Sequence, residues 1–260
     1  MTGGNSTGGK WGDLPSRTAS AAVLLGLGGA AIWFGGAAFH VFVAVICGGM
    51  IWELSRMLSG GNSKLAVSMG VLTAAVLVVA PLLPGTALLP VLLAVPLAGA
   101  SQIKENRFQY GLYAAALMLA GYGLILLRDV RGAYWVIWLV SVVVATDVAG
   151  YFAGKAFGGP KFWPRVSPKK TWSGTAAGWV AAACVGVAFG GPALIVISVL
   201  ASFTSQMGDI AESALKRRMG IKDSSNLIPG HGGFLDRFDG MMGAALLVFL
   251  MGAVLGLPAL

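Results

Sequence analysis

Two apolar runs, Pro192–Phe203 (PALIVISVLASF) and Met241–Leu257 (MMGAALLVFLMGAVLGL), enclose Gly208–Gly240, GDIAESALKRRMGIKDSSNLIPGHGGFLDRFDG. The enclosed stretch holds half of the chain's ten acidic residues: Asp209, Glu212, Asp223, Asp236 and Asp239. It also carries Lys216, Arg217, Arg218, Lys222 and Arg237. Flanking runs of this kind read as membrane helices. Ionisable groups at a membrane face persist at a free-energy cost, so by default they mark a functional site.

Within the stretch, Asp209, Glu212, Ser213 and Lys216 fall at i, i+3, i+4 and i+7 and so share one face of a helix. Gly220 suits a left-handed cap that closes it. KDSSNLIPGHGG, 222–233, is a loop by its Ser, Asn, Pro and Gly content. Its Pro229-Gly230-His231-Gly232-Gly233 turn is expected to offer bare N–H groups to phosphate oxygens. Asp236 and Asp239, three apart, face the same way if they open the next helix. Carboxylates, cations and bare backbone in one place suit metal-bound polyphosphate chemistry. A cytoplasmic loop explains cations such as Arg218 by topology alone, but carboxylates contribute little to topology.

Outward from this stretch, the whole chain reads as lipid-embedded. Of its 260 residues 57% are hydrophobic and 11% charged, against about 25% charged in soluble domains. Ten-residue alternation is absent, which excludes an outer-membrane barrel. The fold class is all-α, a polytopic membrane bundle of about nine helices. The expected spans are Ala19–Gly35, Ala37–Ser55, Leu65–Leu83, Thr86–Gly99, Gln109–Leu127, Ala133–Ala153, Gly174–Phe189, Pro192–Met207 and Met241–Leu257. The fourth and seventh fall short of the roughly 20 residues of a full crossing, which suggests tilted or re-entrant segments. Residues 1–18 form a disordered cytoplasmic tail, 19–132 N-terminal membrane helices, and 133–260 a catalytic membrane domain with cytoplasmic loops 154–173 and 208–240. In this nine-helix arrangement all eighteen Lys and Arg except Arg128 and Arg131 fall on one side, which the positive-inside rule makes the cytoplasm. The net charge of +8 is thereby topology and attraction to anionic membrane lipids. No aromatic-basic interleaving indicates nucleic acid.

A second constellation precedes the seventh helix. Asp147, Tyr151 and Lys155 form an i, i+4, i+8 stripe, and a carboxylate at Asp147, inside an apolar run, requires a cation, metal or hydrogen-bond partner. Ser167-Pro168-Lys169-Lys170-Thr171-Trp172-Ser173-Gly174 places two cations and hydroxyls at a helix start, an anion site by charge and dipole. Glu53 in MIWELSRML reads equally as a site residue or as a surface partner of Arg56. His40, alone in an apolar helix, reads as a hydrogen-bonded core residue.

Ser213, Lys216-Arg217, Lys222-Asp223, Ile228-Pro229-Gly230-His231-Gly232-Gly233 and Leu235-Asp236-Arg237-Phe238-Asp239 together resemble the signature of the CDP-diglyceride synthetases, or phosphatidate cytidylyltransferases. The Ser-Pro-Lys-Lys-Thr-Trp-x-Gly block and Asp147-x-x-x-Tyr151 resemble the same family, although Ser173 stands where that family commonly has Glu. The resemblance implies CTP + phosphatidate → CDP-diacylglycerol + pyrophosphate in a bacterial-type inner membrane, with the site facing the cytoplasm. It implies Asp209, Asp236 and Asp239, with Asp147, as ligands for one or two Mg²⁺ ions; hard oxygen donors favour this ion over zinc. Lys216, Arg217 and Arg237 join the catalytic set, with His231 as a phosphate donor or proton carrier. Ser167, Lys169, Lys170, Thr171, Ser213, Lys222, Asp223, Gly230, Gly232 and Gly233 are the expected substrate contacts. Two rivals are a CTP-dependent lipid-alcohol kinase and, without support from any repeat of the charged blocks, a cation transporter. Gly-rich helices are compatible with a homodimer.

Overall fold

The computed structural model describes residues 14–255. Nine helices are found among them: α1 (Leu14–Phe34), α2 (Gly36–Leu58), α3 (Ser63–Val79), α4 (Gly85–Gln102), α5 (Arg107–Arg131), α6 (Ala133–Phe157), α7 (Trp172–Gly190), α8 (Pro192–Arg218) and α9 (Leu235–Leu255). Eight of these are long and apolar enough to cross a bilayer, and the apolar part of α1, Thr18–Phe34, is shorter. The protein is an integral membrane protein. Helices dominate because hydrocarbon offers backbone groups no partner, so each span must satisfy its own.

Three expectations need correction. The fourth and seventh spans are complete helices of 18 and 19 residues, and α4 keeps Pro90 and Pro96 inside it. Helix α1 starts at Leu14 rather than after residue 18, with Pro15 in the first turn, where a missing N–H costs no hydrogen bond. The rest of the expected disordered tail, residues 1–13, lies outside the described residues. The segment between α6 and α7 is not plain loop. Strands β1 (Lys161–Trp163) and β2 (Ser167–Thr171) pair antiparallel, Lys161 opposite Thr171 and Trp163 opposite Ser167. Three- and five-residue strands rich in Lys and Pro carry no alternating apolar pattern, so periodicity could not reveal them.

Helix α5 is central and packs against α2, α4 and α9, while α6, α7, α8 and α9 pack in series. Met50, Ile51 and Leu54 of α2, Met118 and Ile125 of α5, and Trp138 and Leu139 of α6 are fully enclosed. Because lipid tails are as apolar as these side chains, close fit and internal hydrogen bonds hold the helices together. Gly150 and Gly174 permit α6 and α7 to touch, since a Cβ at Gly174 would lie 2.6 Å from the Gly150 carbonyl oxygen. Trp138 Nε1 donates to Ser198 Oγ (3.0 Å), and Thr146 Oγ1 to Ser202 Oγ (2.8 Å), joining α6 to α8. Gln206 of α8 accepts from Trp179 Nε1 (3.1 Å) and donates to the Thr175 carbonyl (3.3 Å), joining α7 to α8. These bonds fix the rotation of α8, which carries Asp209 one turn beyond Gln206.

At one end of the bundle, His40 Nε2 meets Asp129 Oδ2 at 2.7 Å, the expected partnered histidine. Beside it Arg128 donates to the carbonyls of Ile32 (2.8 Å) and Trp33 (3.2 Å), capping α1. The β-hairpin and the α8–α9 loop lie together at the opposite end.

Candidate active site

Helix α8 runs on to Arg218, so its last three turns present the sequence-predicted face. Ser213 Oγ donates to Asp209 Oδ1 (3.2 Å), and Lys216 Nζ meets Glu212 Oε2 (2.6 Å). The helix ends as expected. Gly220 takes φ 69°, its N–H donates to the Arg217 carbonyl (3.2 Å), and Ile221 N–H donates to that of Lys216 (3.0 Å). This is the paired-bond cap for which a left-handed residue is needed.

The loop that follows is held by two carboxylates. Asp236 Oδ1 meets Lys216 Nζ at 2.6 Å. Its Oδ2 accepts from Ser224 N–H (2.9 Å), Ser224 Oγ (2.7 Å) and Gly233 N–H (2.8 Å). Glu53, completely buried on α2, accepts from Phe234 N–H (3.0 Å) and Ser225 Oγ (2.5 Å) on Oε1. Its Oε2 accepts from Leu235 N–H (2.8 Å), with Ser224 Oγ at 3.1 Å. Glu53 thus satisfies the otherwise orphaned first amides of α9, where negative charge is also favoured by the helix dipole. It is no surface partner of Arg56, whose guanidinium instead stacks over Trp52.

The PGHGG turn also departs from expectation. His231 N–H (2.9 Å) and Gly232 N–H (3.2 Å) both donate to the Ile228 carbonyl, and Gly233 N–H is held by Asp236. These amides are consumed within the protein rather than held out to phosphate. Glycine is needed here for shape: Gly232 has φ 87°, and a Cβ on Gly233 would collide with Glu53 and Ser224. His231 Nδ1 lies 2.7 Å from Ser20 Oγ of α1, and its carbonyl accepts from Arg237 Nε (2.8 Å).

Asp209, Glu212 and Asp239 converge, each offering a carboxylate oxygen within 4.8 Å of the others. Glu212 is 2% exposed and its Oε1 has no hydrogen-bond partner. A buried carboxylate oxygen left bare among other carboxylates is costly unless a cation completes it. These three therefore form a donor set for a hard divalent ion. Asp236, saturated by Lys216 and three N–H or O–H groups, lies outside the set, as does Asp147. Glu212, which the sequence places on one helix face with Asp209 and Lys216 but not among the expected metal ligands, joins this donor set.

Cations surround the acidic set. Lys170 Nζ meets Asp209 Oδ2 at 2.6 Å. A cavity of about 420 Å³ between α6, the hairpin, α7 and α8 is lined by Asp147, Tyr151, Lys155, Lys169, Lys170 and Asp209. The α6 stripe read from spacing thus faces one space, and Lys155 lies over the Tyr151 ring. A smaller cavity, about 220 Å³, gathers Ser167, Lys169, Ser213, Lys216, Arg217, Lys222 and Asp223. Lys169 borders both. Thr171 lines the larger one and also caps α7, its Oγ1 accepting from Gly174 N–H (3.2 Å). Ser173 Oγ donates to the Gly158 carbonyl (2.5 Å), tying α7 to the end of α6.

Comparison with known proteins agrees with this geometry. Residues 15–255 match the model of the cytidylyltransferase family. A phosphatidate cytidylyltransferase of Brucella suis biovar 1 is 37% identical over 250 residues, covering 87% of this chain and 88% of that protein. One from Pseudomonas aeruginosa is 36% identical over 266 residues, covering 91% and 95%. One from Bacillus subtilis is 41% identical over 122 residues, covering 44% and 45%. Matched nearly end to end, with its carboxylates and lysines gathered at one end of a membrane bundle, the chain belongs to the cytidylyltransferase family.

Proposed function

We propose that this protein joins CTP to phosphatidate, making CDP-diacylglycerol and pyrophosphate, at the site built from α6, the hairpin, α8 and the start of α9. The observation that carries the reading is the convergence of Asp209, Glu212 and Asp239 beside Lys169, Lys170 and Lys216. In the reaction an oxygen of the lipid phosphomonoester attacks the α-phosphorus of CTP. The bond from that phosphorus to the bridging oxygen breaks, and pyrophosphate leaves with the electron pair. The nucleophile is already an anion, so the protein has to align two anionic reactants and offset charge on both.

Asp209, Glu212 and Asp239 would hold Mg²⁺, which when bound supplies Lewis-acid stabilisation of phosphate oxygens. Lys169, Arg217 and Lys222 make no ion pair among the described residues and are available to the triphosphate. Lys170 and Lys216 are held by Asp209, Glu212 and Asp236, which orients them. Lys/Arg placement supports a charged end on the cytoplasmic side of a bacterial inner membrane, where CTP is available.

The test is purified protein in detergent with phosphatidate, Mg²⁺ and CTP labelled at either the α- or the γ-phosphorus. Label from the α position is expected in lipid, and γ label only in pyrophosphate. γ label in lipid would identify a kinase instead. Glu212→Gln is expected to raise the Mg²⁺ requirement by about 10-fold or more, the size that even outer-shell changes reach. An unchanged Mg²⁺ titration in that variant would remove Glu212 from the metal set.

A further inference from the structure

A groove of about 400 Å³ runs between α1, α2, α6 and α9. Phe39, Phe42, Val140 and Met241 are among its walls, and among the described residues its only ionisable lining side chains are Asp147 and Arg237, both at the charged end. On α6 the lining extends from Val136 to Asp147, about 16 Å at the helical rise. That is half of the roughly 30 Å hydrocarbon core, the depth of one leaflet. Asp147 also lines the cavity that contains Asp209, Lys169 and Lys170, so groove and polar cavity share a wall. Arg237 uses Nε on the His231 carbonyl, and its two terminal nitrogens make no hydrogen bond among the described residues.

We propose that this groove holds one acyl chain of the lipid substrate, with the phosphate entering the site on the Arg237 side of its mouth. The assignment rests on the reading given under Proposed function. An apolar slot one leaflet deep, topped by a cation with unused donors, is complementary to a lipid bearing an anionic headgroup. A second protein helix would find no such use for Arg237. The Asp147 carboxylate, which repels a phosphate, keeps the headgroup to the arginine side.

Filling the slot tests this. Gly29 lines the groove, and a Cβ there meets nothing within 4 Å, so Gly29→Phe projects into open space. Val140→Trp is an independent second blockade, seven residues or about 10 Å below Asp147 and deeper than a six-carbon chain extends. Gly26→Phe is the control: a Cβ on Gly26 also meets nothing within 4 Å, yet this residue does not line the groove. Leu246→Trp fills instead the groove of about 580 Å³ between α5, α8 and α9. Steady-state rates are measured with dioleoyl and dihexanoyl phosphatidate, and the KM for CTP in the same preparations reports an intact site. Gly29→Phe and Val140→Trp are expected to raise KM for the dioleoyl lipid about 10-fold, leaving kcat, the short-chain lipid and CTP near wild type. The proposal is overturned if both lipids are affected equally, if neither filled variant changes, or if only Leu246→Trp discriminates chain length. Failure of the wild-type protein to label any phosphatidate would overturn the functional reading itself, a separable result.

Discussion

At the scale of single residues, the site is ordered by carboxylates whose oxygens are taken by protein donors. Glu53 lies on the second helix, 182 positions before Leu235 in sequence, yet it orders the start of α9 and the loop that precedes it. Its donors are the Phe234 and Leu235 amides, one on each oxygen, and the Ser225 hydroxyl. Glu53→Gln keeps the volume but turns an amide nitrogen toward one of those two backbone amides. A buried donor left unsatisfied costs about 1–3 kcal/mol, so the variant is expected to unfold earlier by about that amount in detergent, with kcat falling more than KM for CTP. Wild-type unfolding in Glu53→Gln would show that the loop is ordered by other contacts. Asp236 acts similarly from the first turn of α9. Its presence in the signature identified it as important, but spacing alone cannot separate a carboxylate that takes a metal from one that takes Lys216 and three protein donors. Glu212 is the converse: its i,i+4 relation to Lys216 was visible, whereas its second oxygen, bare and buried, required the packing of α9 against α8.

At the scale of elements, helix order and most helix ends were legible because each rests on local chemistry. Apolar runs fixed the spans. Gly220 marked the cap of α8, and Thr171 before Trp172 sits where a cap of α7 belongs. The α8 cap is testable by itself. A Cβ at Gly220 would meet nothing within 4 Å, so Gly220→Ala introduces no clash and the cost is purely that of φ 69°. About 1 kcal/mol of destabilisation is expected for Ala, and less for Asn, which tolerates the left-handed region. Equal stabilities for Gly, Ala and Asn at 220 would mean that the cap does not limit the fold. What was hidden in sequence was long-range. The hairpin Lys161–Thr171 forms without an apolar alternation. The amides of His231, Gly232 and Gly233 looked available until Ile228 and Asp236 were seen to take them. Both outcomes depend on where distant backbone lies, which composition and period do not encode.

For the molecule as a whole, the decisive feature is that charge is collected at one end. Lys155, Lys169, Lys170, Lys216, Arg217 and Lys222 gather there around the two polar cavities, while Arg128, Asp129 and His40 lie at the other end. A phosphatidate cytidylyltransferase needs this separation, since one reactant dissolves in water and the other in lipid, and the site must open to both. The distribution of Lys and Arg predicts that the charged end is cytoplasmic, because moving so many cations across the bilayer during assembly would be unfavourable. The expectation is checked with single cysteines in a Cys184→Ser background, since Cys184 is exposed on α7 while Cys47 is fully buried and shielded from reagent. Val130→Cys, 55% exposed at the end of α5, is expected to react with a membrane-impermeant maleimide once the outer barrier of the cell is opened. Lys161→Cys on the hairpin is expected to react only after the inner membrane is permeabilised. The reverse pattern would place the lysines proposed to bind the triphosphate on the face without CTP, and the positive-inside assignment together with the cytoplasmic site would have to be abandoned.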